Sequence, residues 1–253
     1  MRTELAENVH YFLGDTEEIF MNDLIGKKIS LNFEAVTQCA NCNEMKKLFA
    51  QGFCYSCFTS APSASPCIIN PELCVGHLGE GRDVEWEQKN HVQPHIVYLA
   101  VASGLKIGVT RQTQVPTRWI DQGASFAIRV AETPYRQLAG EIEVALKQEF
   151  SDKTNWRRML KNEVADYDLE EEKWAIEEML PADLAQYMSE DDEIIQINYP
   201  VNQYPVKVKS IGFDKQHHIE GILNGIKGQY LLLDNDRVLN MRKHEGYHIE
   251  LNY

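Results

Sequence analysis

Two C-x-x-C pairs, CANC at 39–42 and CYSC at 54–57, lie eleven residues apart in a stretch with little hydrophobic periodicity. They constrain the chain more than any other feature. Residues 39–91 are rich in Cys, Gly and Pro and cannot bury much apolar surface without a cross-link. Each C-x-x-C turn points two thiolates at one ion, and two such turns supply the four soft ligands of a tetrahedral Zn²⁺ site. The ion lowers the thiol pKa values, so the sulfurs bind deprotonated. The spacing therefore predicts one structural zinc on Cys39, Cys42, Cys54 and Cys57, with redox dithiols or buried free cysteines as the competing reading. A second group, Cys67, Cys74, His77 and His91, places Cys74 and His77 at a C-x-x-H spacing. It is a candidate second metal site, and buried thiols with ordinary surface histidines are the alternative.

The chain has 253 residues, of which 43% are hydrophobic and 25% charged, as expected of a globular protein of two or three modules. No apolar run reaches the roughly 18 residues a membrane span needs. The N-terminus, MRTELAENVHYFLGD, carries charges where a signal peptide needs an apolar stretch. With four of six cysteines in C-x-x-C pairs, a reducing compartment, the cytoplasm, is expected. The net charge of −13 counts against a broadly basic surface for nucleic acid, because that affinity comes from Lys and Arg displacing counterions. The charge is uneven, however. Residues 162–193 hold thirteen acidic side chains against Lys173, a net −12, so the rest of the chain carries only −1 and has room for a local basic cleft.

The expected fold class is α+β. Residues 1–91 form an N-terminal β and zinc-ribbon segment, in which KKISLNFEAV alternates like a strand. Residues 92–162 form a ββαβα module: HIVYLAV and LKIGVT make a hairpin broken at Ser103-Gly104, PTRWIDQGA starts a short helix, SFAIRVAE is a third strand, and PYRQLAGEIEVALKQEF is a helix. Residues 163–193 form an acidic helical connector whose apolar positions, among them Leu169, Ile176 and Leu184, suit a solvated helix covering a core. Residues 194–253 alternate short strands with Gly, Asn and Asp turns and suggest a small β-barrel.

The segment IVYLAVASGLKIGVT, then Arg118, then AGEIEVALKQEF, resembles the GIY-YIG nuclease superfamily in the branch whose second motif reads K-I-G. In that branch a helix of the form A-x-x-L-E-x-x-L-x-x-x-F follows, and Ala139, Ile142, Glu143, Leu146 and Phe150 fit it. The resemblance places the first tyrosine on Tyr98, Lys106 where the second tyrosine stands, and the glycine on Gly108; the arginine is Arg118, the acidic metal ligand Glu143 and the late asparagine Asn155. It implies metal-dependent phosphodiester hydrolysis, with Mg²⁺ or Mn²⁺ on Glu143, Tyr98 helping to deprotonate water and Arg118 neutralising phosphorane charge. Each residue also has an ordinary reading: Tyr98 as a strand aromatic, Arg118 paired with Asp121 or Glu141, Glu143 on a solvated helix face.

Nearly end to end, the chain also resembles an uncharacterised bacterial zinc-binding family catalogued as domain of unknown function 2797. The paired C-x-x-C, PELC, TRWIDQGA, DKTNWR-x-ML and GIKGQYL carry that likeness. Three functions follow as expectations. The first is a nucleic-acid processing enzyme. The second is a non-catalytic RNA- or DNA-binding module in which Arg111, Trp119, Gln122, Trp156 and Arg157 contact phosphates and stack on bases. The third is a protein-interaction scaffold built on the acidic stretch.

Overall fold

The computed structural model describes residues 1–14, 17–147, 149–150 and 155–253. Three short strands, β1 (Arg2–Glu4), β2 (His10–Leu13) and β3 (Ile19–Phe20), form a small antiparallel sheet and lead into β4 (Lys28–Thr37). The cysteine-rich stretch holds α1 (Tyr55–Ser60), a series of single 3₁₀ turns and α2 (Val84–His91). Next come β5 (His95–Val101), β6 (Leu105–Arg111), α3 (Thr117–Asp121), β7 (Phe126–Thr133) and α4 (Arg136–Leu146), in the order ββαβα. Helices α5 (Trp156–Leu160), α6 (Leu169–Met179) and α7 (Ala182–Ala185) follow. The chain ends in β8 (Ile195–Gln196), β9 (Lys209–Ile211), β10 (His218–Lys227), β11 (Tyr230–Leu233), β12 (Arg237–Asn240) and β13 (Tyr247–Asn252). The protein is thus α+β, and no described helix is long and apolar enough to cross a membrane.

Strand β5 organises the centre. It is apolar at nearly every position because both of its faces are covered, in a sheet ordered β6-β5-β7-β8. Ile96, Tyr98 and Ala100 face one core, shared with Trp119, Ile120 and apolar residues of β10 and β11. Val97, Leu99 and Val101 face the other, where Leu138, Ala139, Ile142 and Leu146 of α4 pack with Leu169 and Ile176 of α6. Strand periodicity of two sends alternate side chains into different layers. Each fully buried aliphatic side chain contributes roughly 1.5–3 kcal/mol, so neither face can be surrendered cheaply.

The acidic stretch covers the second core through Leu169, Ile176, Leu180 and Leu184 and leaves Trp174 exposed. Its single basic residue, Lys173, is buried and donates to the Asp191 carbonyl at 2.9 Å and the Asp192 carboxylate at 2.6 Å.

The expected C-terminal barrel requires correction. The strands form a six-stranded sheet, β13-β4-β10-β11-β12-β9, and among the described residues no pairing joins β13 to β9 to close it. Strand β4, from the N-terminal segment, lies between β13 and β10. One half of the ten-residue β10, His218–Ile222, pairs with β4, and the half from Leu223 to Lys227 pairs with β11 across a register shift at Leu223/Gly225. Such a bulge bends and twists a long strand, letting it serve two partners in succession.

Candidate metal centres and a basic cleft

The first cysteine group is assembled by two turns. Cys39 follows β4, and Cys54 caps the start of α1. The sulfurs of Cys39, Cys42, Cys54 and Cys57 all lie within 4.8 Å of one another, and all but Cys42 are buried. The Cys54 backbone N–H donates to the Cys39 sulfur at 3.3 Å, and the Asn41 amide donates to the Cys57 sulfur at 3.4 Å. Burial pushes the Cys39 thiol up, but backbone N–H groups of Cys42, Cys54 and Asn41 outweigh it and bring the pKa to about 6. Four convergent sulfurs with N–H···S support can hold a metal ion such as Zn²⁺.

The second group has a different membership from the one expected. Cys67, Cys74, Glu87 and His91 bring one ligand atom each within 4.8 Å of the others, and all four are buried. His77 lies outside the group and stacks on Tyr135, ring centroids 4.6 Å apart and planes at 7°. The signal for Glu87 lies in α2, which the cysteine-rich composition obscures. Asp83 caps this helix by accepting from the Trp86 N–H at 3.0 Å, and Glu87 and His91 then fall one turn apart on one face.

Tyr98, Lys106, Arg118 and Glu143 all line one cleft of about 840 Å³, although they reach it from different layers. Tyr98 belongs to the core shared with Trp119, whereas α4, carrying Glu143, packs on the opposite face of β5. The Tyr98 hydroxyl accepts from Gln122 Nε2 at 2.8 Å, and the Arg118 guanidinium stands beside it. Burial raises its pKa more than Arg118 and Gln122 lower it, so Tyr98 is a protonated phenol at neutral pH. Half-buried Glu143 is raised by burial too, with Glu72 adding to the rise and Lys147, Arg136 and Lys106 opposing it. Of the partners the sequence suggests for Arg118, Asp121 or Glu141, Asp121 feels its charge: burial raises the Asp121 carboxyl, and Arg242, at 3.5 Å, and Arg118 oppose the rise.

The cleft is cationic. Lys106, Arg111, Arg118, Arg136, Lys147, Arg242 and Lys243 line it, against Asp121, Glu143 and Glu245. Seven positive side chains to three negative among the described residues, in a chain of net charge −13, is a local reversal of sign. Arg242 and Lys243 come from the turn between β12 and β13, where local pattern alone suggests no more than a normally charged β-module.

Other expected contact residues sit elsewhere or in structural roles. Asn155 is absent from the cleft lining and caps α5, its side chain accepting from the N–H groups of Arg157 and Arg158 at 3.0 and 3.3 Å. Residues 152–154 of the DKTNW motif lie outside the described residues. Trp119 is only 1% exposed, which removes it from any stacking role. Trp156 is half-buried and stacks on Tyr230 at 5.7 Å, with the Arg157 guanidinium 4.3 Å over its ring, away from the cleft. Arg111 and Gln122 do line the cleft, Arg111 donating to Asn90 Oδ1 at 3.0 Å.

A family model described as "Protein of unknown function (DUF2797)" matches residues 26–249. No curated protein and no solved structure matches the chain.

Proposed function

The chain belongs to the DUF2797 family, and from the chemistry of its cleft we propose that it binds the phosphodiester backbone of RNA or DNA there and hydrolyses it with a divalent cation on Glu143. The observation that carries this reading is the concentration of seven cationic side chains in one cleft of an otherwise acidic protein. Phosphate affinity arises from such a patch by counterion release, and it does not require the whole surface to be basic.

Within the cleft the residues divide the work. Arg118, beside the Tyr98 hydroxyl, offers its charge to a phosphoryl oxygen. Glu143 is the carboxylate on α4 able to ligate a hard cation, Mg²⁺ or Mn²⁺, which when bound supplies charge at the scissile phosphate. Tyr98, kept protonated by burial, orients and donates and does not act as a resting base. Arg242 and Lys243 extend the positive wall along the strand that enters. Base stacking passes from Trp119 to the zinc-ribbon segment, where Phe49 and Tyr55 are 58% and 65% exposed with their rings 5.2 Å apart. That segment borders the cleft through Gln51 and Phe53.

A second reading, binding without cleavage, is favoured by Tyr98 being fully buried and by Lys106 standing in place of a second tyrosine. The test is incubation of the metal-loaded protein with end-labelled single- and double-stranded RNA and DNA, with Mg²⁺ or Mn²⁺, beside Glu143→Gln and Arg118→Ala. Cleavage by the wild type that Glu143→Gln abolishes supports hydrolysis. A shifted band without cleavage, weakened by Arg118→Ala, supports the binding module. Neither result with any substrate would refute both and favour the protein-interaction scaffold.

A further inference from the structure

The geometry points to a second metal centre, in which one Zn²⁺ ion is held by Cys67 Sγ, Cys74 Sγ, Glu87 and His91 Nδ1, and this centre fixes the platform on which α4 rests. Four ligand atoms from the 3₁₀ turns and α2 converge within 4.8 Å of one another. His91 Nδ1 is 3.4 Å from the Cys74 sulfur and 4.0 Å from the Cys67 sulfur. With metal–ligand bonds of about 2.0–2.3 Å, the edges of a tetrahedron are of this size. His91 Nδ1 and Glu87 Oε2 lie 2.5 Å apart, so both converge on one point, and an ion bound by both would hold them at ligand spacing.

The donor set is two sulfurs, one imidazole nitrogen and one carboxylate oxygen, which suits borderline Zn²⁺. All four residues are at most 6% exposed. Two thiols, a carboxyl and an imidazole packed together away from water are costly if charged and unbalanced, and a divalent cation balances them. With two thiolates, one carboxylate and a neutral imidazole around Zn²⁺, the centre would carry a net charge of −1. The surroundings are built for the carboxylate. Gly81, at φ +144°, leaves room for it, since a Cβ there would stand 2.5 Å from Glu87 Cγ. The Ser65 hydroxyl lies 3.0 Å from the Cys67 sulfur and can donate to the thiolate.

The loop between the two cysteines is what α4 packs against. Arg136 donates from Nε to the Cys67 carbonyl and from Nη2 to the Ile68 carbonyl, both at 2.9 Å. Gly140 approaches so closely that a Cβ would be 2.2 Å from the Glu72 backbone nitrogen. A metal clamp on Cys67 and Cys74 therefore fixes both ends of the surface under α4, one turn before Glu143. This centre does not depend on whether the cleft cleaves nucleic acid.

The test is zinc stoichiometry of the full chain by native mass spectrometry and elemental analysis after equilibration with excess Zn²⁺ and desalting. Two ions are expected for the wild type and for His77→Ala, and one ion for Cys74→Ser and for Glu87→Ala. One ion in the wild type, or two retained in Cys74→Ser, would overturn the centre. Should Cys74→Ser fail to fold, cobalt substitution of the wild type decides: two Co²⁺ with sulfur charge-transfer absorption from six thiolates is expected, and one Co²⁺ with absorption from four overturns it. Hydrogen exchange of residues 136–146 should rise several-fold in Glu87→Ala if the clamp supports α4, and unchanged exchange would refute that part.

Discussion

The ring of Tyr98 lies directly over Gly108, its cross-strand partner, so closely that a Cβ at position 108 would be 2.6 Å from the hydroxyl oxygen and 2.7 Å from Cζ. The glycine of the K-I-G segment is therefore space made for a buried tyrosine. Gly108→Ala should cost about 1–3 kcal/mol by overpacking. Urea denaturation checks it, and a variant as stable as wild type would mean that Tyr98 moves freely.

Glu143 is half-buried with its carboxyl pKa raised, so the folded chain binds this proton more tightly than the unfolded chain does. Its contribution favours the folded state below the ordinary value of 4.5 and is lost as pH rises through the folded pKa. Glu143→Gln should accordingly be more stable than wild type at pH 7, with the gap narrowing as pH falls toward 4.5. Urea midpoints at a series of pH values test the sign. Added Mg²⁺ should close part of the gap at pH 7 by stabilising the wild type alone.

Lys227 is wholly buried, donates to Asn162 Oδ1 at 2.7 Å, and has its pKa brought from 10.5 down to about 8 by burial. Between those values the unfolded chain holds the proton more tightly, so stability rises with pH across that window and the cost is constant below it. Lys227→Met should gain up to about 3 kcal/mol at pH 7, less about 1 kcal/mol for the missing hydrogen bond, and the gain should vanish above pH 10.5. Thermal melts at pH 7 and above measure it.

On the proposed function, nucleic-acid binding in the cleft should depend on salt. Arg242→Ala, from the turn far along the chain, should weaken binding by a similar factor to Arg118→Ala, and each should reduce the slope of log affinity against log salt by about 0.9 for every phosphate left unneutralised. Trp119→Phe should destabilise the fold and leave affinity unchanged, because the indole is buried. Fluorescence anisotropy titrations at several salt concentrations separate these outcomes.

Chelation should act locally first. A metal held by the four-cysteine site would contribute folding free energy, which in zinc-finger peptides reaches about 10–16 kcal/mol, and stripping it would remove that support. Limited proteolysis in a strong chelator should therefore cut within 39–60 well before β5, whose faces are buried in two apolar cores. Simultaneous loss of both regions would show that the metal site supports the whole fold.

By itself the sequence determined what is encoded over a few residues. The alternation in KKISLNFEAV forms β4, and the apolar runs on either side of Ser103-Gly104 form the hairpin β5–β6. The paired C-x-x-C turns bring four sulfurs together, because a tight turn fixes its own geometry. Periodicity also marks Leu169, Ile176 and Leu184 as a covering face. Only the tertiary structure decided the rest. It placed β4 between β13 and β10, sent Trp119 into the core, exchanged His77 for Glu87, and carried Arg242 and Lys243 to the cleft that Glu143 lines. Local pattern tells whether a side chain has a polar and an apolar side to satisfy. Which partner satisfies it depends on the meeting of distant segments, and that follows from packing, loop closure and the exclusion of water.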